Sequence, residues 1–240
     1  MMHSSFERVG HWLFGLSLAA MGGFEVWRGE ALPGLHPLPD AADTSLIRTL
    51  GALLLVPAVL SLAPGLEKRV RFALSAYWMI LAALAFAIAS THPGDMTAWV
   101  SAAQAAVFAC AALGSRWPET ARLAFGAMLL LFGAIHVTHT ALIASLIPHW
   151  IPAPALWPWL TGGAQMIAGV ALLTNRLTAW AALAVAGMFV SWLALVHAAR
   201  LISSPDSLFE WTFALTAAAL AGAALQIAGR ARIAAACAGG

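Results

Sequence analysis

The chain has 240 residues, of which 62% are apolar and only 9% are charged, whereas an average soluble domain carries about 25% charged residues. Its mean hydropathy is +0.85, and its formal net charge is +2. This composition excludes an ordinary soluble enzyme and a disordered chain, and it leaves no basic patch to bind a nucleic acid. It is typical of an α-helical protein that lies in a lipid bilayer and crosses it several times.

Eight apolar runs follow one another along the sequence, separated by Pro, Gly and charged residues. Most of the runs have no polar face, which is typical of helices that contact lipid or each other. Because one crossing takes about 20 apolar residues, we predict an all-α, polytopic membrane protein with eight transmembrane helices. The runs cover residues 6–27, 46–63, 70–90, 95–114, 120–146, 155–174, 177–199 and 208–229.

The distribution of Lys and Arg predicts the orientation of these helices, because cytoplasmic loops carry an excess of both residues. Nine of the 12 lie on the side of the two chain termini. We therefore expect a multi-pass protein of the inner (plasma) membrane with both termini in the cytoplasm, and we call the opposite side the outer side. The outer side holds Arg28, Arg48 and Arg200.

The two halves of the chain resemble each other faintly when one is shifted so that Gly22 meets Gly133. Each half then contains four helices, and an even number of helices gives both halves the same orientation. We therefore predict two parallel-repeat four-helix bundles, over residues 1–115 and 116–240. The same shift aligns Gly15 with Gly126, Glu25 with His136 and Pro37 with Pro148.

The second half carries the most distinctive motifs of the chain. They are FGAIH at 132–136, IPHWIPAP at 147–154, LTG at 160–162, AGVALL at 168–173 and RLTAWAA at 176–182. With these motifs, residues 117–200 resemble the DoxX-like membrane proteins, a family of four-helix membrane modules. The first half is linked to this family only through the internal repeat.

The resemblance implies a function as well as a fold. Some DoxX-like proteins resemble the DoxD subunit of thiosulfate:quinone oxidoreductase, which implies a redox-linked subunit that interacts with quinone. Such a subunit would act with a soluble or membrane redox partner or as a homo-oligomer. The alternative is a non-enzymatic membrane module for transport, lipid binding or scaffolding. Relatives usually carry a Glu shortly after the Thr-Gly step, where this chain has Gln165, so we expect a polar binding contact there.

Polar residues lie near the outer ends of several predicted helices. A polar group in hydrocarbon needs a hydrogen-bond partner, so these side chains should turn inward and meet. A neutral His can donate to a quinone carbonyl, and an aromatic ring can stack on the quinone. We therefore predict one ligand pocket that opens towards the outer leaflet, without assigning catalytic residues. The predicted ligand-binding residues are Glu25, His136, His139, Trp150, Gln165, His197 and Arg200.

The same residues admit other interpretations. The histidines could be hydrogen-bonded residues of the bundle, and the tryptophans near helix ends could belong to the aromatic belts at the membrane interfaces. His136 and His139 are three residues apart on one helix face, so together with His197 or Glu25 they could also bind a metal. The sequence does not decide between these interpretations, and we assign no metal ligands from it.

Overall fold

A computed structural model describes residues 4–37 and 42–238, with Glu67, Lys68 and Ala238 described by their backbone alone. Over these residues the chain is helical and contains no strand, which confirms the all-α prediction. A single turn of π-helix, Leu193–His197, joins two of the helices. The helices are α1 (Ser5–Arg28), α2 (Thr44–Leu62), α3 (Glu67–Thr91), α4 (Met96–Ala112), α5 (Pro118–Thr138), α6 (Thr140–Ser145), α7 (Trp157–Leu173), α8 (Thr178–Trp192), α9 (Ala198–Ser203) and α10 (Leu208–Ala238).

Polar residues define where several helices begin. The carboxylate of Asp95 accepts hydrogen bonds from two backbone N–H groups in the first turn of α4, and Ser4 accepts one at the start of α1. Asp43 does the same for α2. Hydrogen bonds from the Ser45 hydroxyl and from the N–H groups of Ser45 and Leu46 hold the pKa of the Asp43 carboxyl below its usual value. These side chains satisfy N–H groups that have no partner within the helix.

Five helical segments among the described residues are long and apolar enough to cross a membrane. We therefore treat the chain as membrane-embedded. The helix α4 is apolar but shorter, α1 carries charged residues at both ends, and α7 has 17 residues, which is about 25 Å of helix. The five segments are Thr44–Leu62, Arg69–Thr91, Pro118–Thr138, Thr178–Ser203 and Leu208–Cys237.

The single helix predicted over 120–146 is wrong, because the backbone leaves the helical conformation at His139. The hydroxyl of Thr138 donates to the carbonyl of Ala134 and also contacts the ring of His139. Such a side chain competes with the backbone for hydrogen bonds and favours a helix end. The short helix α6 follows, so His139 lies at a corner of the chain instead of inside a long helix.

The last helix, α10, is the central helix of the molecule. It packs most closely on α1 and α8 and also touches α4 and α5, and 83% of its membrane-spanning window is buried inside the protein. Its buried residues are mainly Ala and Gly, which allow close backbone approach. At the contact with α1, a Cβ on Gly222 would lie only 2.6 Å from the backbone nitrogen of Phe14.

The helix α4 is also largely buried. Its Gln104 donates through Nε2 to the hydroxyl of Thr216 on α10, at 3.2 Å. Around α4, the rings of Phe108 and Trp78 meet edge to face at 4.9 Å, and Phe14 of α1 adds a second such contact. These aromatic side chains are fully buried and form the core of the first half.

Candidate functional site

An open groove of about 520 Å³ lies between the α6–α7 connection and the outer ends of α9 and α10. The connection contributes the Pro-His-Trp part of the IPHWIPAP motif. Among the seven predicted ligand residues, Trp150 and Arg200 lie in this groove. We call it the outer groove, and it is lined by Ser145, Leu146, Ile147, Pro148, His149, Trp150, Ala199, Arg200, Ser203, Ser204 and Glu210.

Arg200 holds the two walls of the outer groove together. Its Nε donates to the Glu210 carboxylate at 2.7 Å, and its Nη2 donates to the other oxygen of the same group. Its Nη1 donates to the carbonyl of Leu146 at 2.9 Å. A bidentate Arg–carboxylate pair is strong and geometrically specific. The guanidinium therefore fixes the α6–α7 connection to the start of α10.

The rim of the outer groove is aromatic and exposed. Trp150 is 60% exposed, and His149 beside it is also exposed. The connection keeps its shape through internal contacts, such as the 2.9 Å hydrogen bond from Trp157 Nε1 to the carbonyl of Pro152. The groove thus offers a free ring face and N–H donors at the end of apolar helices.

Among the ionisable residues of the outer groove, sequence reasoning missed His149 and Glu210. His149 lies inside the quoted motif and could have been singled out by its neighbour Trp150. Glu210 is an acidic residue in the first turn of the last helix, where a carboxylate interacts favourably with the helix dipole. That local explanation hides its second role as the partner of Arg200.

His136 and Gln165 lie together at the interface of α5 and α7. A Cβ on Gly162 would lie 2.9 Å from the Cβ of His136, so the two helices touch there. The Nδ1 of His136 lies 2.7 Å from the carbonyl oxygen of Phe132, one turn earlier on the same helix. Gln165 is 3% exposed, and its Oε1 has no hydrogen-bond partner among the described residues. This interface therefore has one unused buried acceptor.

His197 lies at a different depth from Gln165. The rings of Trp157 and Trp192 touch at 5.5 Å, which places the start of α7 level with the end of α8. From that level, Gln165 is eight residues further inward and His197 five residues further outward, so they differ by about 20 Å along the helix axes. The ring of His197 stacks on Phe213.

Glu25 lies in a third place, at the end of α1. It is fully buried and accepts hydrogen bonds from the N–H of Leu32 at 3.1 Å and from His36 at 2.8 Å. Sequence reasoning missed His36 because it lies in a connection between two apolar runs, where nothing in the pattern indicates burial. The hydroxyl of Tyr77 on α3 completes this group at 3.5 Å from His36 Nε2.

The seven predicted residues are thus distributed over several places instead of one. Trp150 and Arg200 share the outer groove, His136 and Gln165 share the α5–α7 interface, and Glu25 is paired with His36. His139 is exposed at the end of α5. Among the residues that the structure describes, no three His, Cys, Asp or Glu side chains come close enough to hold a metal ion. Ligand binding by these residues stays a prediction.

Residues 125–212 match a family described as a domain of unknown function (DUF8561). The matched part begins within α5 and ends within α10, so it contains every residue of the outer groove. No match is found among the curated proteins or among the solved structures. The Glu25–His36 pair lies outside the matched part.

Proposed function

We propose that this chain is a DoxX-like protein of the inner (plasma) membrane and a redox-linked subunit that acts with a redox partner. In this proposal the outer groove holds the head group of a lipid-soluble quinone. The observation that carries the proposal is the combination of Trp150, His149 and the anchored Arg200 in one open groove at the end of apolar helices.

The chemistry of the groove suits a quinone head group. The His149 ring N–H, and the guanidinium N–H groups of Arg200 that are not used by Glu210 and Leu146, are donors for a quinone carbonyl oxygen. The indole face of Trp150 suits stacking on the planar quinone ring. Ile202, which is 83% exposed, precedes the groove residue Ser203 and offers an apolar surface to the isoprenoid tail.

Replacing Trp150 by Ala is expected to weaken quinone binding. Loss of one aromatic contact of about 0.5–1.5 kcal/mol should raise the dissociation constant of decyl-ubiquinone roughly three- to tenfold. Binding is measured by quenching of the intrinsic tryptophan fluorescence or by calorimetry in detergent. The matched control is Trp180→Ala. Trp180 is 71% exposed and lies in the first turn of α8, away from the outer groove. This variant should bind decyl-ubiquinone like the unmodified protein.

A companion measurement decides between the two functional classes. The purified protein is extracted with organic solvent, and the extract is analysed for quinone. Copurified quinone together with the effect of Trp150→Ala supports the redox-linked function. Absence of quinone from the extract, combined with no saturable binding of decyl-ubiquinone, contradicts it and favours the non-enzymatic alternative.

A second groove supports lipid binding, which is one form of the non-enzymatic alternative. It has a volume of about 530 Å³ and runs along the exposed face of α1. Arg8 at one end and Trp12 at the centre are the kind of residues that anchor a protein to anionic lipid head groups. The groove is lined by Ser5, Arg8, Val9, Trp12, Leu13 and Leu16.

We also infer two parallel four-helix modules, residues 1–115 and 116–240, that together cross the membrane eight times. Contacts that recur at the shift aligning the two halves support this repeat. On α1 and α2, a Cβ on Gly22 would meet the carbonyl of Gly51 at 2.5 Å; on α5 and α7, a Cβ on Gly133 would meet the carbonyl of Gly162 at 2.6 Å. The shift that aligns the two halves moves Gly22 onto Gly133 and Gly51 onto Gly162.

A second pair of contacts recurs at the same shift. His11 Nε2 lies 2.9 Å from the carbonyl of Ser61, and Arg122 donates to the carbonyl of Leu172. His11 and Ser61 become Arg122 and Leu172 when the first half is moved onto the second. A side chain at this position of each module thus reaches a backbone carbonyl on the neighbouring helix.

Near the C-terminal end of each module the shift becomes one residue longer. There Trp99 and Trp211 each donate to a proline carbonyl six residues earlier. Gln104 and Thr216, which bond each other, are 112 residues apart and are related by this longer shift. Contact between equivalent positions is expected beside an axis that relates two modules.

Cysteine labelling tests the proposed orientation. A cysteine introduced at Asp95, His149 or Asp206 of a variant without Cys110 and Cys237 should react with a membrane-impermeant thiol reagent from the outer side of intact cells. A cysteine at Arg176 should react only after the membrane is permeabilised, because the excess of Lys and Arg predicts that side to be cytoplasmic. Labelling of position 149 only after permeabilisation would contradict the orientation.

A further inference from the structure

His136 and Gln165 approach each other where α5 and α7 are in close contact. The helices run in opposite directions, because the residue number rises along α5 as it falls along α7 from one glycine contact to the next. His136 follows Gly133 by one helical turn, and Gln165 follows Gly162 by one turn. A helical side chain leans back over the preceding turn, so both side chains lean towards the level of the Gly133–Gly162 contact.

The two side chains also lie on the same, protein-facing side of this contact. On α5, His136 is two turns along the same stripe from Leu129, which is fully buried. On α7, Gln165 shares a stripe with the fully buried Leu172, whereas Ile167 on the opposite side is 74% exposed. The two polar groups therefore share one depth and one side of the α5–α7 interface.

Both side chains present a hydrogen-bond acceptor at this place. Oε1 of Gln165 is buried and has no partner among the described residues. Nδ1 of His136 lies 2.7 Å from the carbonyl oxygen of Phe132, and since a carbonyl oxygen only accepts, Nδ1 carries the proton of the neutral ring. Nε2 is therefore an acceptor. Two acceptors cannot bond to each other, so a group that carries hydrogen is needed between them.

The first half shows how the chain completes an acceptor at the aligned position. The residue aligned with His136 is Glu25, which accepts hydrogen bonds from the N–H of Leu32 at 3.1 Å and from His36 at 2.8 Å. Both donors belong to the α1–α2 connection, and both are buried. In the first half, a segment of the chain itself thus supplies the donors.

The connection after α5 offers no such donors at the aligned positions. The residues aligned with the two donors of the first half are Ile143 and Ile147. Their side chains carry no polar atom, and their N–H groups bond to nearby backbone carbonyls. No other described residue donates to Oε1 of Gln165. A molecule outside the chain is therefore the source of hydrogen that the interface needs.

We propose that the α5–α7 interface binds a hydroxyl group between Oε1 of Gln165 and Nε2 of His136. If the molecule is water, each of its hydrogens bonds to one acceptor. If it is a lipid-soluble alcohol, phenol or quinol, its one hydrogen is shared between the two acceptors in a three-centre bond. The site is separate from the outer groove, and its test does not depend on whether that groove binds quinone.

Nitrogen NMR of the full chain, labelled at His and Gln, tests the proposal, because the Nε2 signal of His136 shifts when its lone pair accepts a hydrogen bond. Spectra are recorded at a pH of about 8, where imidazole is neutral, and the signal is assigned by its loss in His136→Asn. In protein purified with its native lipids, we expect an unprotonated, hydrogen-bonded Nε2. A free lone pair, a protonated Nε2, or a coupling that shows donation by the Gln165 amide itself overturns the proposal.

A second step identifies the source of the hydroxyl group. The lipids are exchanged for a detergent without hydroxyl groups, and the Nε2 signal is recorded again. A hydrogen bond that persists comes from water. A bond that is lost comes from a lipid-soluble molecule, and dodecanol should then restore it, whereas the methyl ether of dodecanol, which has no O–H hydrogen, should not. Restoration by the ether, or failure of dodecanol to restore the bond, overturns the proposal.

Gln165→Leu tests whether the two acceptors share one donor. Leu54 occupies the aligned position in the first half and is fully buried, so a leucine suits this place in the fold. Loss of one hydrogen bond should weaken binding roughly three- to tenfold and move the Nε2 signal towards that of a free lone pair. The matched control is Ile167→Leu on the exposed side of α7, which should leave the signal unchanged. An unchanged signal in folded Gln165→Leu overturns the proposal, and if this variant does not fold, the measurements on the unmodified protein decide.

Discussion

Gly22→Ala is expected to destabilise the protein strongly. A methyl group at this position would lie 2.5 Å from the carbonyl oxygen of Gly51 and 2.6 Å from the backbone nitrogen of Leu55. Neither backbone atom can move without separating α1 from α2. Overpacking of this kind costs about 1–3 kcal/mol. The free energy of unfolding, measured by titration with a denaturing detergent, should fall by that amount.

The same substitution at Gly133 should have a similar effect, because a Cβ there would lie 2.6 Å from the carbonyl of Gly162 on α7. The two contacts lie in different halves of the chain, so the two losses should add. The adjacent glycines are matched controls, since a Cβ on Gly23 or Gly163 would meet no atom within 4 Å. Gly23→Ala and Gly163→Ala should leave stability unchanged or raise it by up to about 1 kcal/mol.

An equal loss at Gly22 and Gly23 would contradict this interpretation. It would mean that the helix tolerates no alanine for a reason other than contact with α2. A loss of stability at Gly22 with none at Gly133 would agree with close contact between α1 and α2. It would, however, contradict the equivalence of the two modules. The four variants therefore separate close helix packing from the internal repeat.

Glu7→Ala is the second change for which we expect a large loss of stability. Nε of Arg230 on α10 donates to the Glu7 carboxylate on α1 at 3.0 Å, and the side chains of Arg230 and Glu7 are only 16% and 10% exposed. Removal of one member leaves a buried charge without its counter-ion, which costs about 3–5 kcal/mol. Thermal unfolding in detergent should show a clearly lower midpoint, together with loss of the close α1–α10 contact.

A double variant distinguishes the ion pair from simple loss of packing. Glu7→Leu combined with Arg230→Met removes both charges and retains apolar volume, so it should recover most of the stability. Arg116→Ala is the control, because Arg116 is exposed and changes at such positions usually stay within about 0.5 kcal/mol. A double variant as unstable as Glu7→Ala would show that the charges themselves are not the cause.

The composition and the apolar runs were sufficient to predict the helical class, because only helices and closed barrels satisfy the backbone in lipid and no segment shows the alternation of apolar and polar residues that a barrel needs. Turn residues also placed most helix ends within a few positions. They failed at His139, where the hydroxyl of Thr138 bonds to the backbone of its own helix. That bond depends on side-chain geometry which the apolar run over 120–146 does not reveal.

For the candidate site, the sequence predicted individual residues but not which of them come together. The sequence predicted that Trp150, Arg200 and Glu25 line one pocket, whereas only Trp150 and Arg200 share the outer groove and Glu25 is buried elsewhere. It did not identify the partners of Arg200 and Glu25, because Glu210 lies in the first turn of α10, where the helix dipole already explains an acidic residue, and His36 lies in a connection between two apolar runs. Which polar residues meet depends on helix rotation and depth, and these helices have no polar face that would indicate either.

The sequence by itself determined that the chain is a helical membrane protein and that its glycines and alanines allow close contacts. Only the tertiary structure decided that α10 is the central helix, that Glu25 pairs with His36, and that Gln165 and His197 lie at different depths. The physical reason is that small and apolar residues suit contact with lipid and with helices almost equally well. The pattern therefore predicts helices, while their neighbours are selected by close packing between particular side chains.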